Sequence, residues 1–320
     1  MVIRTIAALF LLLLVGCHAG ESRPESISLV DAEALEARGE RREAAFAYAN
    51  LLHSLKERMD FEACLARARI FERLFSLQVV DLPDFHSQFP SLRYLLGEDS
   101  GAVLLAESAR QSFLVLSEVS SEEARGECAA RIASIFLTKA EKPDLRVRSL
   151  GQPLLEIILL LEVASIFESV HLSLNRSSSR DRLEHILESL SESYLALSDS
   201  PGVLPFAREQ WREIAQVYRK RIPVIRTSEL MPPLKRWEQR IFLFDLSQNL
   251  KEATSWADRA TVERTSNGDQ KECERSYRNA LRHLVFVGEF FPRKDTSFEN
   301  VLSSLSVVLR GWKTVWFQES

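Results

Sequence analysis

The spacing of apolar residues from Ser28 onward limits the fold of this chain more than any other feature of the sequence. Apolar residues recur every three or four positions, and the period-two alternation that would indicate strands is almost absent. Residues at this spacing line one face of an α-helix. Two of the clearest sets are Ala44, Tyr48, Leu51 and Leu55, and Val301, Leu305, Val308, Trp312 and Val315. The sequence therefore predicts an all-α fold.

The composition agrees with a helical globular protein. Glycine and proline number only 11 each among 320 residues, fewer than turn-rich β-sandwiches or low-complexity segments contain. Hydrophobic residues make up 46% of the chain and charged residues 27%, enough for one large or two modest cores. The 41 basic and 45 acidic residues give a net charge of −4, without the positive charge typical of nucleic-acid-binding proteins. We therefore expect no nucleic-acid partner.

Proline-containing breaks divide the chain into helical segments of about 15–25 residues, an ordinary length for helices. Four hydroxyl residues stand three positions before an acid, the pattern of a capping box: Ser28 with Asp31, Ser120 with Glu123, Ser178 with Asp181, and Thr296 with Glu299. The longest breaks, 142–153 and 222–233, are candidate lobe boundaries. We predict an N-terminal helical repeat lobe over 29–142, a central helical region over 143–233 and a C-terminal helical lobe over 234–320. The pattern leaves open whether the helices form one solenoid or separate lobes.

The segment 154–167 is the most apolar part of the chain after the amino terminus. It contains Glu156 and Glu162 and is shorter than the roughly 20 residues that a transmembrane helix needs. The two glutamates are six positions apart, about 240° around a helix, so they do not form a carboxylate pair. The segment therefore predicts a buried central helix with at least one glutamate at its exposed edge.

The amino terminus has the organisation of an export signal. Arg4 precedes an unbroken apolar run of ten residues, Ile6–Val15, which is too short to span a bilayer. The run leads into Leu14-Val15-Gly16-Cys17, which resembles the lipobox of bacterial lipoproteins. The resemblance implies a signal peptide over residues 1–16, a diacylglyceryl thioether on Cys17 and acylation of the new amino terminus. A simple signal peptide or a chance apolar terminus is the alternative.

Residues 17–28 contain Gly20 and Pro24 and indicate a flexible tether that reaches on the order of 40 Å when extended. Removal of the signal takes away Arg4 alone, which leaves 40 of the 41 basic residues against 45 acidic ones, a net charge of −5. Membrane retention would therefore come from the acyl chains, because each buried methylene contributes about 0.8 kcal/mol. His18 follows Cys17 where enterobacterial lipoproteins of the inner membrane favour aspartate. By resemblance, this favours the bacterial cell envelope, and within it the outer membrane facing the periplasm.

The segment 32–48 resembles part of a tetratricopeptide repeat. In that family a glycine stands at the turn between two helices, a small residue five positions later lets the helices approach closely, and an aromatic residue four positions further fills the next groove. Gly39, Ala44 and Tyr48 occupy these positions. Ser28 stands where the family has a large residue, so the repeat is degenerate at its start.

A second copy of the pattern begins at Gly268, with Cys273 in the alanine position, Tyr277 in the aromatic position and Ala280 in the next small position. Cysteine is a small hydrophobic residue that can pack there. The 229 positions from Gly39 to Gly268 are not a multiple of the repeat period of about 34 residues, so a regular array is excluded. The resemblance implies a tetratricopeptide-like α-solenoid of stacked antiparallel helical hairpins. Another hairpin stack and a compact helical bundle stay open.

Motifs that carry chemistry are scarce. The sequence has no glycine-rich phosphate loop, zincin motif or nucleophile elbow. Glu168 and His171 form a Glu-x-x-His pair, but a di-iron site needs a second such pair, which no other histidine provides. Cys64, Cys128 and Cys273 lie in helical stretches without a Cys-x-x-Cys motif, so we expect them to be buried small hydrophobic residues. We predict no catalytic residue, no metal site and no cofactor.

Two further segments have two interpretations each. The basic run 219–221 (Arg-Lys-Arg) ends a predicted helix, where positive charge offsets the helix dipole, and the alternative is contact with anionic lipid headgroups. Trp312, Trp316 and Phe317 are aromatic enough to bind a partner protein or another subunit. The alternative is that these aromatic residues seal the last turn of the solenoid.

Together these features predict a lipid-anchored bacterial envelope lipoprotein that acts as a non-enzymatic helical-repeat scaffold or adaptor for a protein partner. This architecture resembles the tetratricopeptide lipoproteins of outer-membrane barrel assembly, pilus assembly and transporter systems. Two alternatives stay open: an envelope enzyme such as a peptidoglycan-active hydrolase or lyase, and a hydrophobic-ligand carrier built around the central helix. A cleft with a desolvated carboxylate among Glu156, Glu162 and Glu168 would indicate the enzyme, a closed apolar cavity the carrier and an open groove the adaptor.

Overall fold

A computed structural model describes most of the chain from Ser28 to Phe317. The described residues are 28–56, 58, 60–82, 84–89, 92, 100–117, 121–141, 153–175, 177–227, 246–266, 268–290 and 296–317. The predicted signal peptide, Cys17 and residues 18–27 of the predicted tether lie outside them. The candidate lobe boundary at 142–153 also falls there except for Pro153, the first residue of a helix.

The fold is all-α, as the apolar spacing predicts. Within the described residues every regular element is a helix, and the single extended contact is an isolated bridge between Val203 and Phe317. The helices are α1 (Leu29–Ala37), α2 (Arg41–Leu55), α3 (Phe61–Ser76), α4 (Ser100–Ser117), α5 (Glu122–Glu141), α6 (Pro153–Leu174), α7 (Asp181–Ser198), α8 (Pro205–Thr227), α9 (Leu246–Thr265), α10 (Gln270–Phe290) and α11 (Thr296–Trp316). A 3₁₀ turn (Val79–Asp81) and a one-turn helix (Phe85–Gln88) lie between α3 and α4.

Neighbours in sequence are neighbours in space. Each helix from α1 to α7 packs against the one that follows it, and so do α9 and α10. Short connections such as residues 38–40 between α1 and α2 bring successive helices together as hairpins. The arrangement has the local contact pattern expected of stacked helical hairpins.

The C-terminal helices depart from an open stack, because α10 also packs against α6 and α4. The Phe286 ring of α10 lies 5.3 Å from that of Phe113, 6.4 Å from that of Phe136 and 5.8 Å from that of Phe167, measured between centroids. These contacts join three earlier helices to the C-terminal hairpin. They make one buried core, which we call the main core.

A second, smaller core lies at the other end of the described chain and is built mainly from α1, α2 and α3, with Phe85 and Leu104. The two cores divide the described residues differently from the three predicted segments. The predicted central region and C-terminal lobe share the main core, because Phe286 reaches back to helices that precede it by more than a hundred residues. Sequence breaks mark the ends of helices but do not show which helices share a core.

Helix α6 occupies the centre of the main core. By length and composition its segment Leu154–Leu174 could cross a membrane, but it is mostly buried inside the protein. Ile158, Val163, Ala164 and Phe167 are fully buried. The prediction of a buried central helix agrees with this position, which makes α6 the packing partner of α5, α7 and α10.

Helix α8 continues past the break predicted at residue 222. Pro223 lies inside it, and the helix ends at Thr227. Proline removes one backbone hydrogen bond, but here it stands in the last turns, where few bonds remain to be lost. The Thr227 hydroxyl donates to the Pro223 carbonyl at 3.0 Å, and the Arg180 guanidinium donates to the Ile225 carbonyl. These side chains satisfy carbonyls at the end of α8.

Candidate functional site

The first predicted repeat motif forms a helical hairpin. Gly39 lies in the turn between α1 and α2 with φ +78°, a left-handed conformation that glycine adopts without strain. Ala44 and Tyr48 are fully buried in α2. The Tyr48 hydroxyl donates to Glu36 Oε2 at 2.7 Å, and burial and the Glu36 carboxylate raise the pKa of Tyr48. Tyr48 of α2 thus contacts α1 across the hairpin.

The second predicted motif forms the α9–α10 hairpin. Gly268 precedes α10, and its N–H donates to the Glu263 carbonyl at 3.0 Å. The Cys273 thiol contacts the Ala260 carbonyl of α9 at 3.5 Å, so cysteine fills the small position between the two helices. Tyr277 and Ala280 are buried.

Helices α9 and α11 form the walls of an open groove whose floor is α10. We call it the α9–α11 groove, and it has a volume of about 350 Å³. Tyr277 lies at its floor, beside Gly311 of α11. A Cβ atom on Gly311 would lie 2.8 Å from the Tyr277 hydroxyl oxygen. Glycine at this position therefore allows the tyrosine to reach the backbone of α11.

The α9–α11 groove combines positive charge with exposed apolar surface. Arg264 of α9 and Arg310 of α11 line it, and Arg264 Nη1 donates to the Thr314 hydroxyl at 3.2 Å. No described residue that lines the groove is acidic, and neither arginine forms an ion pair within the described part of the chain. Val307 also lines the groove, with 57% of its surface exposed. The groove can therefore accept a carboxylate together with an apolar side chain.

A second cleft, of about 230 Å³, lies between α2, α3 and α4. Its arginines are already engaged. Arg110 Nη2 contacts Glu107 Oε2 at 2.7 Å, while Arg67 donates to Gln111 Oε1 at 3.0 Å and to the Leu55 carbonyl at 2.6 Å. The apolar residues of this cleft are Leu52, Phe71, Leu92 and Leu114. Lys56 also lines the cleft, so apart from the buried Arg67 the cleft offers one cation without an ion pair among the described residues, where the α9–α11 groove offers two.

Another side of α10 is held to the main core by buried hydrogen bonds to Glu162 of α6. Arg282 Nε donates to Glu162 Oε2 at 2.5 Å. The hydroxyls of Tyr194 in α7 and Tyr218 in α8 donate to Glu162 Oε1 at 2.7 and 3.2 Å. Glu162, which is only 1% exposed, therefore connects four helices. We call these residues, with Arg278 and Glu274, the Glu162 network.

The Glu162 network contains two arginines, Arg278 and Arg282, and two carboxylates, Glu162 and Glu274. Arg278 Nη1 donates to the Tyr194 hydroxyl at 3.0 Å, and Arg278 Nη2 lies 3.7 Å from Glu274 Oε2. Burial by itself would raise the pKa of Glu162, but the Arg282 and Arg278 charges outweigh it and lower the pKa to about 2. Burial raises the pKa of Glu274. At neutral pH Glu162 is an ionised acceptor, so it is poorly suited to donate a proton.

Glu168 and His171, which form the Glu-x-x-His pair, each contact a different partner. Glu168 Oε2 accepts a hydrogen bond from Arg182 Nε at 2.6 Å, and His171 Nδ1 lies 2.9 Å from the Gly126 carbonyl. Among the described residues no group of three potential ligands is placed to hold a metal ion. Both side chains therefore have structural partners in the main core.

The three helical cysteines are buried, as their positions in apolar stretches predict. Burial raises the pKa of the Cys128 thiol to about 12. It also raises the pKa of Cys273. Neither of these thiols has the lowered pKa that makes a cysteine reactive.

The aromatic residues at the end of α11 face inward. Trp312 and Trp316 are buried, and the Trp312 ring stacks on that of Trp211 in α8 at a centroid distance of 5.7 Å. The Leu204 N–H donates to the Trp316 carbonyl at 3.1 Å, and Phe317 is partly buried beside Trp211. This placement corrects the docking role considered for these residues, because the two tryptophans have almost no surface to offer a partner. Their packing fits the alternative, that they close the C-terminal end of the stack.

No protein-family model matches this chain, and no significant match was found among curated proteins or among solved structures. Function is therefore inferred from the chain's own residues. Of the predicted site residues, those of the second repeat motif support the α9–α11 groove, while Cys17 lies outside the described residues. Arg264, Val307, Arg310 and Gly311 had no recognisable motif, and their helical spacing showed only that α9 and α11 are helices.

Proposed function

We propose that this chain is a lipid-anchored bacterial envelope lipoprotein whose helical domain is a non-enzymatic scaffold for a protein partner. The observation that carries the proposal is the open α9–α11 groove, in which Arg264 and Arg310 have no carboxylate partner among the described residues and Val307 is exposed. The partner is expected to supply an acidic segment with an apolar side chain.

The chemistry of the groove supports such a partner. Guanidinium groups bind carboxylates through paired, charge-assisted hydrogen bonds. Val307 provides exposed apolar surface next to those charges. The walls of the groove belong to helices, which hold binding side chains more rigidly than loops do. The groove is therefore suited to recognising a segment.

The membrane anchor in this proposal comes from the resemblance of Leu14-Val15-Gly16-Cys17 to a lipobox. An anchored scaffold confines its partner to a surface, which raises the effective concentration of the two chains. The envelope-enzyme alternative gains no support from Glu162 or Glu168, since arginines already bind both carboxylates. Bond making is not part of the proposed mechanism.

The anchor is tested by Cys17→Ser in the full chain. We expect the wild-type chain to be processed and to partition into detergent with the membrane fraction, whereas the variant stays unprocessed and lacks the acyl chains. Metabolic labelling with a radioactive fatty acid gives a second readout that does not depend on fractionation. Equal labelling and equal partitioning of the two chains would contradict the anchor.

The groove is tested by photo-crosslinking in intact membranes. A photoreactive residue at Thr261, which lines the groove, is expected to capture a partner, whereas the same residue at the exposed Glu192 of α7 is not. Charge reversal by Arg264→Glu with Arg310→Glu should abolish the capture, and replacement of both arginines by lysine should retain most of it. Reversal of two exposed arginines elsewhere, Arg42→Glu with Arg275→Glu, is the matched control.

Three results would overturn the scaffold. Capture at Thr261 that survives charge reversal would show that the groove charges do not recognise the partner. Equal capture from Thr261 and Glu192 would show that contact is not specific to the groove. Turnover of peptidoglycan by the purified chain, without any captured protein, would favour the enzyme.

A further inference from the structure

Helix α8 presents a basic face that none of the features above uses. Val217, Lys220, Arg221 and Val224 stand at positions i, i+3, i+4 and i+7, so they lie within about 100° of one another around the helix. All four are exposed, the valines by 57% and 59%. We call these four residues the α8 face.

The positive charge of the α8 face is not neutralised locally. The sequence from residue 214 to 227 contains no acidic residue. Arg226 pairs with Glu184 of α7 at 2.8 Å, on a different side of the helix. Lys220 and Arg221 form no ion pair within the described part of the chain, and neither does the adjacent Arg219. The charge therefore faces solvent.

We infer that the α8 face rests on the anionic headgroups of the membrane that carries the anchor, and that it orients the domain there. This inference rests on the proposed lipid anchor. Basic residues at a membrane surface are attracted to anionic lipid phosphates, and short apolar side chains between them enter the interface. Val217 and Val224 lie about 10 Å apart along the axis, on either side of the two charges.

Several observations favour a lipid surface over an acidic protein. The α8 face is not part of either cleft described above, whereas strong protein-binding residues usually insert into pockets. The anchor would hold the domain within the reach of a short tether, so a weak attraction is enough to select one orientation. The chain without its signal has a net charge of −5, so an anionic membrane repels the molecule as a whole and attracts the α8 face.

The test uses the full lipidated chain reconstituted into vesicles of phosphatidylcholine, with or without phosphatidylglycerol. Val224→Cys carries an environment-sensitive fluorophore, and the buried Cys64, Cys128 and Cys273 are shielded from the reagent. We expect the label to shift to shorter emission wavelengths only in vesicles that contain phosphatidylglycerol. Raising the salt from about 0.1 M to about 1 M should reverse the shift, because the Debye length falls from about 10 Å to about 3 Å.

Charge reversal supplies the control within the α8 face. Lys220→Glu with Arg221→Glu should abolish the shift, while Lys220→Arg with Arg221→Lys should retain it. A label at Glu192→Cys on the exposed side of α7 should report water in both kinds of vesicle.

The outcomes separate this inference from the proposed anchor. A chain that floats with the vesicles while its Val224 label stays in water overturns the lipid contact and leaves the anchor standing. A chain that does not float overturns the anchor and, with it, this inference. A label that is shielded in native membranes but not in vesicles containing phosphatidylglycerol overturns the lipid contact in favour of an acidic protein.

Discussion

Arg282 Nε of α10 lies 2.5 Å from Glu162 Oε2 of α6, although the two residues are 120 positions apart in sequence. Both side chains are removed from water, with 14% and 1% of their surfaces exposed. Burying two charges costs solvation energy, which their attraction recovers only when the geometry is good and the remaining polar atoms are bonded. Tyr194 and Tyr218 supply such bonds to Glu162. The pair thus fixes the position of α10, the floor of the α9–α11 groove.

Replacement of Glu162 by glutamine should destabilise the protein strongly. Glu162→Gln keeps the shape of the side chain but removes the carboxylate that compensates the buried charge of Arg282 and, together with Glu274, that of Arg278. We expect the free energy of unfolding to fall by about 3 kcal/mol, the scale measured when one partner of a buried pair is lost. Urea unfolding at neutral pH measures it. The control is Glu192→Gln on the exposed side of α7, which should change stability by less than about 0.5 kcal/mol.

The same carboxylate predicts a loss of stability in acid. The pKa of Glu162 falls from an ordinary 4.5 to about 2 in the folded chain. Because the pKa is lower in the folded state, the ionised carboxylate stabilises the fold at pH values above the unfolded-state pKa. This contribution is lost as the pH falls from about 4.5 toward about 2. The contribution amounts to about 3 kcal/mol. We therefore expect the wild-type chain to lose about 3 kcal/mol more than Glu162→Gln between about pH 6 and about pH 2.

Other carboxylates also titrate in this range and are present in both chains, among them Glu274 and Glu127 of the described residues. Glu274 has a raised pKa, so its protonation on acidification acts in the opposite direction and favours the folded state. Burial would raise the pKa of Glu127, but hydrogen bonds from Arg69 and Arg131 outweigh it and lower the pKa to about 2. Comparison of wild type with Glu162→Gln largely removes the effect of Glu127, whereas the pKa of Glu274 is lower in the variant because the Glu162 charge contributes to raising it. Parallel pH profiles for the two chains would contradict the prediction.

Some features that depend on a few adjacent residues could be predicted from the sequence, although the capping box predicted at Ser178 is wrong, because α7 is capped by Arg180 without a side-chain hydrogen bond. At Ser28 the hydroxyl accepts from the Asp31 N–H at 3.2 Å and the Asp31 carboxylate accepts from the Ser28 N–H at 2.9 Å, which confirms the predicted capping box. The capping residue of α5 is Ser121, one position after the predicted Ser120, and it accepts from the Ala124 N–H. Either of the two adjacent serines could cap the helix, and the spacing of residues in the sequence does not show which one does.

Features that depend on distant residues could not be predicted. The sequence predicts at least one of Glu156 and Glu162 at an exposed edge, yet Glu162 is fully buried and Glu156 partly buried. The partners that make this burial tolerable, Tyr218 and Arg282, lie 56 and 120 positions away. Periodicity shows which face of a helix is apolar but not which other helix brings a compensating charge.

The turn at Gly39 gives a prediction about backbone conformation alone. A Cβ atom at Gly39 would have no neighbour within 4 Å, but the residue has φ +78°. Gly39→Ala should therefore lower the free energy of unfolding by about 1 kcal/mol through strain and not through a clash. Gly39→Asn should cost less, because asparagine tolerates this conformation better than alanine does. Equal stabilities of the alanine variant and wild type in urea would contradict the assigned turn.

The stacking contact between Trp211 and Trp312 allows an experiment that distinguishes sealing from docking as the role of the C-terminal aromatic residues. Trp312→Ala removes a buried ring that packs on Trp211, so we expect the free energy of unfolding to fall by about 3–5 kcal/mol. Trp256→Ala, which removes a partly buried tryptophan of α9, is the matched control and should cost clearly less. Urea unfolding followed by far-ultraviolet circular dichroism measures both variants without relying on the fluorescence of the residue removed. If the Trp312→Ala chain had unchanged stability and no longer captured a partner, the result would indicate a docking role for Trp312.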